Sequence, residues 1–327
     1  MKKRFLFVAA MAALALCAET AFAQTEAEFN VTLTDDGSGV VITGYTGKAV
    51  QVRIPAIIQG MPVKEIGDSA FDMRDRYGGV RDEMVYITSI TLPTGLEKIG
   101  SRAFYGQSKL SAVVIPDSVV EIGDEAFRDC YFDYFATGLS SVTLPKSLAK
   151  AGKSIFAGCR LLKTVTIPDG VKVIGASMFR DCTALVSVVI PDSVIEIGES
   201  AFSIGNIYDT NHPPSLVSVT LGKGITSLPE RIFEKCIKLK TITIPEGVTE
   251  IGNYAFNGCT ALESVVFPST IVEIGELAFE NCSALTTVSI PDSVTAIKYG
   301  RVSFRGCSKL NLASQAALKK RSYTESF

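Results

Sequence analysis

The 327-residue chain has no tryptophan and a single histidine, His212. A nucleophile activated by histidine would have to be built on that one residue, and nothing marks a third group to orient it. A Gly-rich phosphate loop, a His-Glu metal motif and a paired-carboxylate cleft are also missing. An enzyme is therefore not expected, and no cofactor is implied. The chain also lacks an excess of either charge: 32 Lys and Arg stand against 34 Asp and Glu, a net charge of −2. That balance argues against a nucleic-acid partner, which would need a net basic face to displace counterions. After the N-terminus there is no long apolar run, so membrane insertion is not expected either.

The N-terminus itself is distinctive. Lys2, Lys3 and Arg4 precede an apolar run from Phe5 to Ala18, and Ala21-Phe22-Ala23 supplies small residues at a cleavage site. This is the pattern of a secretory signal peptide over residues 1–23, with the mature chain starting near Gln24. The run of 14 residues is shorter than the ~20 that span a bilayer. Cys17 offers a rival lipoprotein reading, against which Leu16 occupies the position where a small residue is expected. Either way the product is exported: extracellular or on the cell surface, with the periplasm the alternative.

What fills the rest is repetition. Leu110–Phe127 reads LSAVVIPDSVVEIGDEAF, Leu185–Phe202 reads LVSVVIPDSVIEIGESAF and Leu262–Phe279 reads LESVVFPSTIVEIGELAF. The phenylalanine recurs at ten positions from Phe71 to Phe304, and five of the nine intervals are 23 residues. Each unit alternates its apolar residues into a short strand that a proline ends. A Val-x-x-Ile-Gly segment returns the chain, its glycine suiting a positive φ or close packing. An Ala-Phe pair then opens a short helical or 3₁₀ turn. No unit can bury its own apolar side chains, so about ten are expected to stack into one solenoid.

This repeat resembles that of the BspA-like, treponemal-type leucine-rich-repeat proteins, which run Cys-x-x-Leu-x-x-Val-x-Ile-Pro…Ile-Gly-x-x-Ala-Phe. Ile54–Val63 (IPAIIQGMPV) is similar to their longer opening unit. The resemblance covers about residues 29–310. It implies a right-handed solenoid with a parallel sheet on one side and a role at the bacterial surface, often as an adhesin. It implies no catalytic residues. Phe29–Leu33 and Val40–Tyr45 flank a turn-rich DDGSG and are expected to form an N-terminal β-hairpin cap. The expected division is signal peptide 1–23, hairpin cap 24–48, solenoid 49–312, and C-terminal cap and tail 313–327.

Seven cysteines follow the repeat phenylalanine by three residues: Cys130, Cys159, Cys182, Cys236, Cys259, Cys282 and Cys307. Equivalent residues in adjacent rungs stand about a strand spacing apart, farther than a disulfide allows. A ladder of buried thiols is the expectation. No Cys-x-x-Cys pair suggests metal. Acidic residues recur in two columns, Asp117, Asp169, Asp192, Glu246 and Asp292, and Glu65, Glu121, Glu196, Glu250 and Glu273. They read as turn residues and a solvated face rather than a calcium site, because each column is interrupted. The outward strand positions, such as Thr164/Thr166 and Thr241/Thr243, are sheet-forming filler too often broken by valine or alanine for an ice-binding array.

Three insertions break the repeat, at about 72–86, 131–138 and 203–214. All lie between the phenylalanine and the next strand, so they should emerge on one side of the solenoid. They bring Arg74, Arg76, Tyr77 and Arg81, then Tyr131, Phe132, Tyr134 and Phe135, then Tyr208 and His212. Aromatic and arginine side chains dominate protein-binding hot spots. These residues are the candidate partner-binding set, the alternative being loops that only cover their own edge. The expected function is a secreted or cell-surface module that binds a host matrix or plasma protein as an adhesin. An envelope interaction scaffold without a host ligand is the other reading.

Overall fold

The computed structural model describes residues 24–73, 85–132, 136–205, 211–294, 296–297 and 303–320. The leader expected over 1–23, with Cys17, lies outside them. The chain climbs as a solenoid, and three columns of backbone hydrogen bonds hold its rungs in register. The first column is the expected parallel sheet. Ala112–Val114, Ser141–Thr143 and Thr164–Thr166 pair in register, with Ser141 opposite both Ala112 and Thr164. In Ala112–Val114 and Ser141–Thr143 the middle valine faces inward and its two neighbours face solvent. The proline two residues on cannot extend the pairing.

The second column was not anticipated. The returning Glu-Ile segment is itself a strand, so Glu121–Ile122 pairs in parallel with Lys98–Ile99 before it and Lys150–Ala151 after it. Two residues suffice because each rung has one isoleucine to bury and one polar residue to expose.

The third column runs through the turns carrying the phenylalanine. Hydrogen bonds three residues apart give these turns their 3₁₀ character, as in Tyr105 N–H to the Arg102 carbonyl (3.1 Å) and Arg128 N–H to that of Glu125 (3.0 Å). Alternate N–H groups point along the solenoid instead. Glu125, Phe127 and Asp129 donate to the carbonyls of Lys153, Ile155 and Ala157 at 2.8–2.9 Å. Turning those groups outward places Glu125 (φ 58°) and Asp129 (φ 54°) in the left-handed region. The same position two before the phenylalanine is left-handed in other rungs, even for Tyr254 and Leu277. The cost of that conformation is offset by satisfying N–H groups that have no partner within their own rung.

The Ile-Gly glycine answers to close packing rather than to positive φ. A Cβ on Gly123 would sit 2.5 Å from the Ser101 nitrogen, and one on Gly275 would sit 2.6 Å from that of Asn253. Each such glycine lies directly on the backbone of the rung before it.

Inside, the rings of Phe71, Phe104, Phe127, Phe156, Phe179, Phe202, Phe233, Phe256, Phe279 and Phe304 stack one on the next. Their centroids lie 4.9–5.7 Å apart. Tyr45 and Phe29 of the N-terminal hairpin continue the stack at 5.7 and 5.3 Å. Such a pair contributes about 0.5–1.5 kcal/mol beyond the area it buries.

The cysteines form the expected buried column of free thiols, and they have a specific task. Each donates its S–H to the carbonyl of the phenylalanine one rung back, from Cys130 to Phe104 (3.3 Å) through to Cys307 to Phe279 (3.1 Å). Gln107 occupies the same position in an earlier rung. Its Nε2 donates to the Phe71 carbonyl at 2.8 Å, and its Oε1 accepts the Ile87 N–H at 2.9 Å. The longer side chain serves two backbone groups at the base of the first insertion.

Both ends of the first sheet are closed by side chains. At the start, the Gln24 amide donates to the Gln51 carbonyl (2.9 Å) and accepts the Arg53 N–H. The hairpin Phe29–Leu33 and Val40–Tyr45 covers the second column through Met61–Ile66. At the other end, Ser314 of the helix Leu312–Lys320 accepts the Val288 N–H at 2.9 Å, while Leu318 is buried. Asn311 accepts the Ser314 N–H (2.9 Å) as the helix cap.

Two predictions follow from the core. Burial drives the thiols of Cys130, Cys182, Cys236, Cys259, Cys282 and Cys307 upward from their ordinary pKa, Cys307 to about 12. A disulfide reagent at pH 8 should modify none of the seven repeat cysteines in the native protein and all seven once it is unfolded; fewer than seven after unfolding without reductant would mean bridges. Gln107→Leu leaves the Phe71 carbonyl and the Ile87 N–H unpaired and should destabilise the fold by about 2 kcal/mol or more, read by urea denaturation.

Candidate interaction surface

The regular rungs show what the acidic columns do. Asp117 Oδ1 accepts the Lys146 N–H (3.2 Å) while its Oδ2 meets Lys146 Nζ at 2.9 Å. Asp192 and Glu246 likewise accept the N–H of Lys223 (2.8 Å) and Ser269 (3.0 Å). These carboxylates fasten the turn of the following rung. In the second column Glu121 sits between Lys150 (3.0 Å) and Lys98 (3.3 Å). The hydrogen bond from Lys150, then that from Lys98, hold its carboxyl below the usual range. The outer sheet face carries hydroxyls and aliphatics, and its shallow cleft of about 580 Å³ is lined by Ser218, Thr220, Thr241 and Thr243 without an aromatic ring.

The second and third insertions behave differently. The second is a small hairpin in which Tyr131–Phe132 pairs antiparallel with Thr137–Gly138, closed at its base by Leu139 N–H to the Cys130 carbonyl (3.0 Å). From it the Tyr131 hydroxyl reaches His212 Nε2 of the third insertion at 2.6 Å, across 81 residues of sequence. The two rings meet edge to face, centroids 5.0 Å apart at 74°. The Arg160 guanidinium lies 5.8 Å from the centre of the Tyr131 ring, within reach of a cation–π contact.

A chain of side-chain contacts ties the first insertion to the same side. At its root, buried Asp72 pairs with Arg102 through Nε and Nη2, both at 2.9 Å. Arg102 covers the Tyr105 ring at 4.4 Å, and Tyr105 donates to Asp129 at 2.9 Å. The Asp129 carbonyl then accepts the Tyr131 N–H at 2.7 Å. Burial works against the charge of Arg128, but Asp129 and Glu125 more than restore it and raise its pKa.

Of the candidate residues, the structure therefore brings together Tyr131 and His212, and it places the backbone of Phe132 in the hairpin. Arg74, Arg76, Tyr77, Arg81, Tyr134, Phe135 and Tyr208 lie outside the described residues. The sequence reading missed Arg102, Arg128, Arg160, Arg180 and Arg231, which flank the insertions on the turn face. The available signal was that each stands within two residues of a ladder phenylalanine or next to a ladder cysteine. At such positions a side chain that is not in the core must point out of the turn.

The Tyr131–His212 contact can be measured. In a double-mutant cycle of Tyr131→Phe and His212→Ala, thermal denaturation should give a coupling of about 1 kcal/mol. Additive effects would mean that the two insertions do not touch in solution.

Comparison with known proteins agrees with the geometry. The model of the BspA-type leucine-rich repeat region matches residues 82–203 and 212–311 in six copies. Among solved structures, the pneumococcal vaccine antigen PcpA is 22% identical over 86% of this chain and 72% of its own, with a TM-score of 0.56. A leucine-rich-repeat protein of Eubacterium ventriosum is 20% identical over 87% of this chain and 94% of its own, with a TM-score of 0.53. The Treponema pallidum leucine-rich-repeat protein TpLRR is 23% identical over 93% of this chain and 98% of its own, with a TM-score of 0.43. A comparison with curated proteins finds no match. With the family's repeat matched over most of its length and its solenoid present in the fold, the chain belongs to the BspA-type leucine-rich-repeat family.

Proposed function

We propose that this protein is an exported, non-enzymatic binding module, displayed at the bacterial surface, that engages a host matrix or plasma protein through its insertion side. The observation that carries this reading is the contact of Tyr131 with His212. On a scaffold where nearly every side chain repeats its neighbour, two unrelated insertions converge to present an aromatic pair. Arginine and tyrosine stand beside it, the residue types on which protein interfaces concentrate their affinity. Among the described residues, the sheet face carries short hydroxyl and aliphatic side chains, and the acidic columns are tied to neighbouring rungs. The signal-peptide pattern supports export. Among the described residues no helix is long and apolar enough to cross a membrane.

Protease shaving of intact producing cells, beside a periplasmic marker, tests the location. Peptides from the insertions should be released before lysis. Full protection until lysis would favour the envelope-scaffold reading and overturn the adhesin one. Binding is tested by shortening the second and third insertions to the 23-residue unit and screening matrix and plasma proteins. Ligand capture by the intact protein should fall at least tenfold while the circular dichroism of the solenoid is retained.

A further inference from the structure

Arg180 follows the ladder residue Phe179 and stands where two clefts of the turn face meet. One, of about 260 Å³, also has Arg128, Arg160, Asp129 and Asp181 in its walls. The other, of about 240 Å³, has Arg231, Lys235 and Glu234. The clefts exist because the rung positions between those long side chains hold small residues: Ser154, Ala157 and Gly158 under the first, Ser200, Ser203 and Gly205 under the second. Together the two walls carry five cations (Arg128, Arg160, Arg180, Arg231, Lys235) and three carboxylates (Asp129, Asp181, Glu234), a balance of 5 − 3 = +2 on a chain whose net charge is −2.

Two of the three carboxylates are already hydrogen-bonded. Asp181 Oδ1 accepts the Gly205 N–H at 2.5 Å, and Asp129 accepts the Tyr105 hydroxyl at 2.9 Å. Arg180 is not. Among the described residues its ion-pair partner is Asp181, met by Nε at 3.6 Å, beyond hydrogen-bond length. Neither Nη group has an acceptor among the described residues, and Nη2 lies beside Gly205 in the wall of the second cleft. Gly205 keeps that space open, since a Cβ on it would lie 3.1 Å from Arg180 Nη2. Gly205 stands three residues after Phe202, where most rungs have cysteine. Gly205 belongs to the third insertion, where it is exposed and donates to Asp181 rather than entering the thiol column, and without a side chain it leaves the space beside the guanidinium open.

We infer that this trough is the docking site for an acidic, extended segment of the partner protein, with Arg180 as its central anchor. A planar guanidinium with a free fork is matched by a carboxylate, which it can take bidentately. Asp129, Asp181 and Glu234, set between the cations, disfavour a polysulfated chain, whose charges would meet them. A peptide can instead offer its backbone N–H groups to them. Spacing sets the register. Arg128 and Arg180 each follow a ladder phenylalanine two rungs apart, about 10 Å. A peptide in the polyproline II conformation rises about 9 Å over three residues and brings its side chain back to the same face. Carboxylates at every third residue of such a peptide therefore meet Arg128 and then Arg180, while Arg231, two residues before Phe233, adds positive charge at the far end of the trough. The inference rests on the proposal that the insertion side is the binding side, since Arg160 joins the trough to Tyr131.

The test is fluorescence anisotropy with a labelled peptide carrying glutamate at every third position. A peptide of the same composition with contiguous glutamates and a sulfated oligosaccharide serve as competitors. The spaced peptide should bind at least tenfold more tightly than the clustered one, and both Arg180→Gln and Gly205→Ala should lose at least tenfold with unchanged circular dichroism. Equal binding of the two peptides, better competition by the sulfated sugar, or no effect of Arg180→Gln would overturn the trough. Tyr131→Ala/His212→Ala keeps the two readings apart. A partner still captured by that variant and by the shortened insertions sinks the binding-side proposal, whereas peptide binding indifferent to Arg180→Gln sinks only the trough.

Discussion

Every feature of this protein is subject to one constraint: a residue must tolerate its own counterpart about one strand spacing above and below it. The phenylalanine ladder meets that constraint most completely. Flat rings stack face to face at about the separation the backbone columns impose, 4.9 Å between Phe104 and Phe127, so ring packing and hydrogen bonding select the same rise. Where the two rises agree, a unit can repeat without accumulating strain, and the length of the solenoid is limited only by how its ends are closed. The glycine column follows from the same rule, because no Cβ fits where a rung lies flat on the one before it.

Polar groups obey the rule by reaching one rung back. Cysteine S–H groups donate to phenylalanine carbonyls. Ser111 and Ser140 donate to the carbonyls of Thr88 and Ser111, and Ser118, Ser193 and Thr270 do the same at the strand-ending turn. Short side chains recur at these positions because a hydroxyl or thiol one bond from Cβ reaches the neighbouring rung at little entropic cost. Charge is harder to stack, since like charges in a column repel. Between Glu65 and Glu121 the chain interposes Lys98, and Lys150 follows Glu121. Over these four rungs the column alternates in sign, whereas further on Glu250 lies directly beside Glu273.

The extent to which this was legible in the sequence follows from the same constraint. Repetition is visible in a sequence, so the solenoid, its parallel sheet, the hairpin cap and the thiol column could be read from the spacing of Phe, Cys, Pro and Gly. The second column was missed because a two-residue strand has no periodicity to detect. The left-handed residues before each phenylalanine were missed for another reason. They are Ser, Arg, Glu, Tyr or Leu, chosen for what they display outward, and their backbone conformation is imposed by bonding to the next rung. Gln107 was illegible as a cysteine substitute until its two backbone partners were known. In the candidate surface, the sequence indicated that the insertions share a side. The meeting of Tyr131 with His212 depends on how two loops of different length fold back, which no repeat encodes.

A periodic scaffold also changes what a departure from pattern means. In an irregular protein an isolated glycine or arginine has many explanations, whereas here each position has a column of counterparts that already solve the local structural problem. Gly205, three residues after Phe202, leaves the thiol column because the third insertion begins there, and its exposed N–H bonds to Asp181 instead. Arg180 stands where Tyr105 and Arg128 have partners on their own face of the turn, yet its Nη groups lack one among the described residues. The third insertion accounts for Gly205, whereas the packing of the solenoid gives Arg180 no acceptor for its Nη groups next to the place where the insertions converge. A ligand carboxylate that supplies that acceptor would account for Arg180.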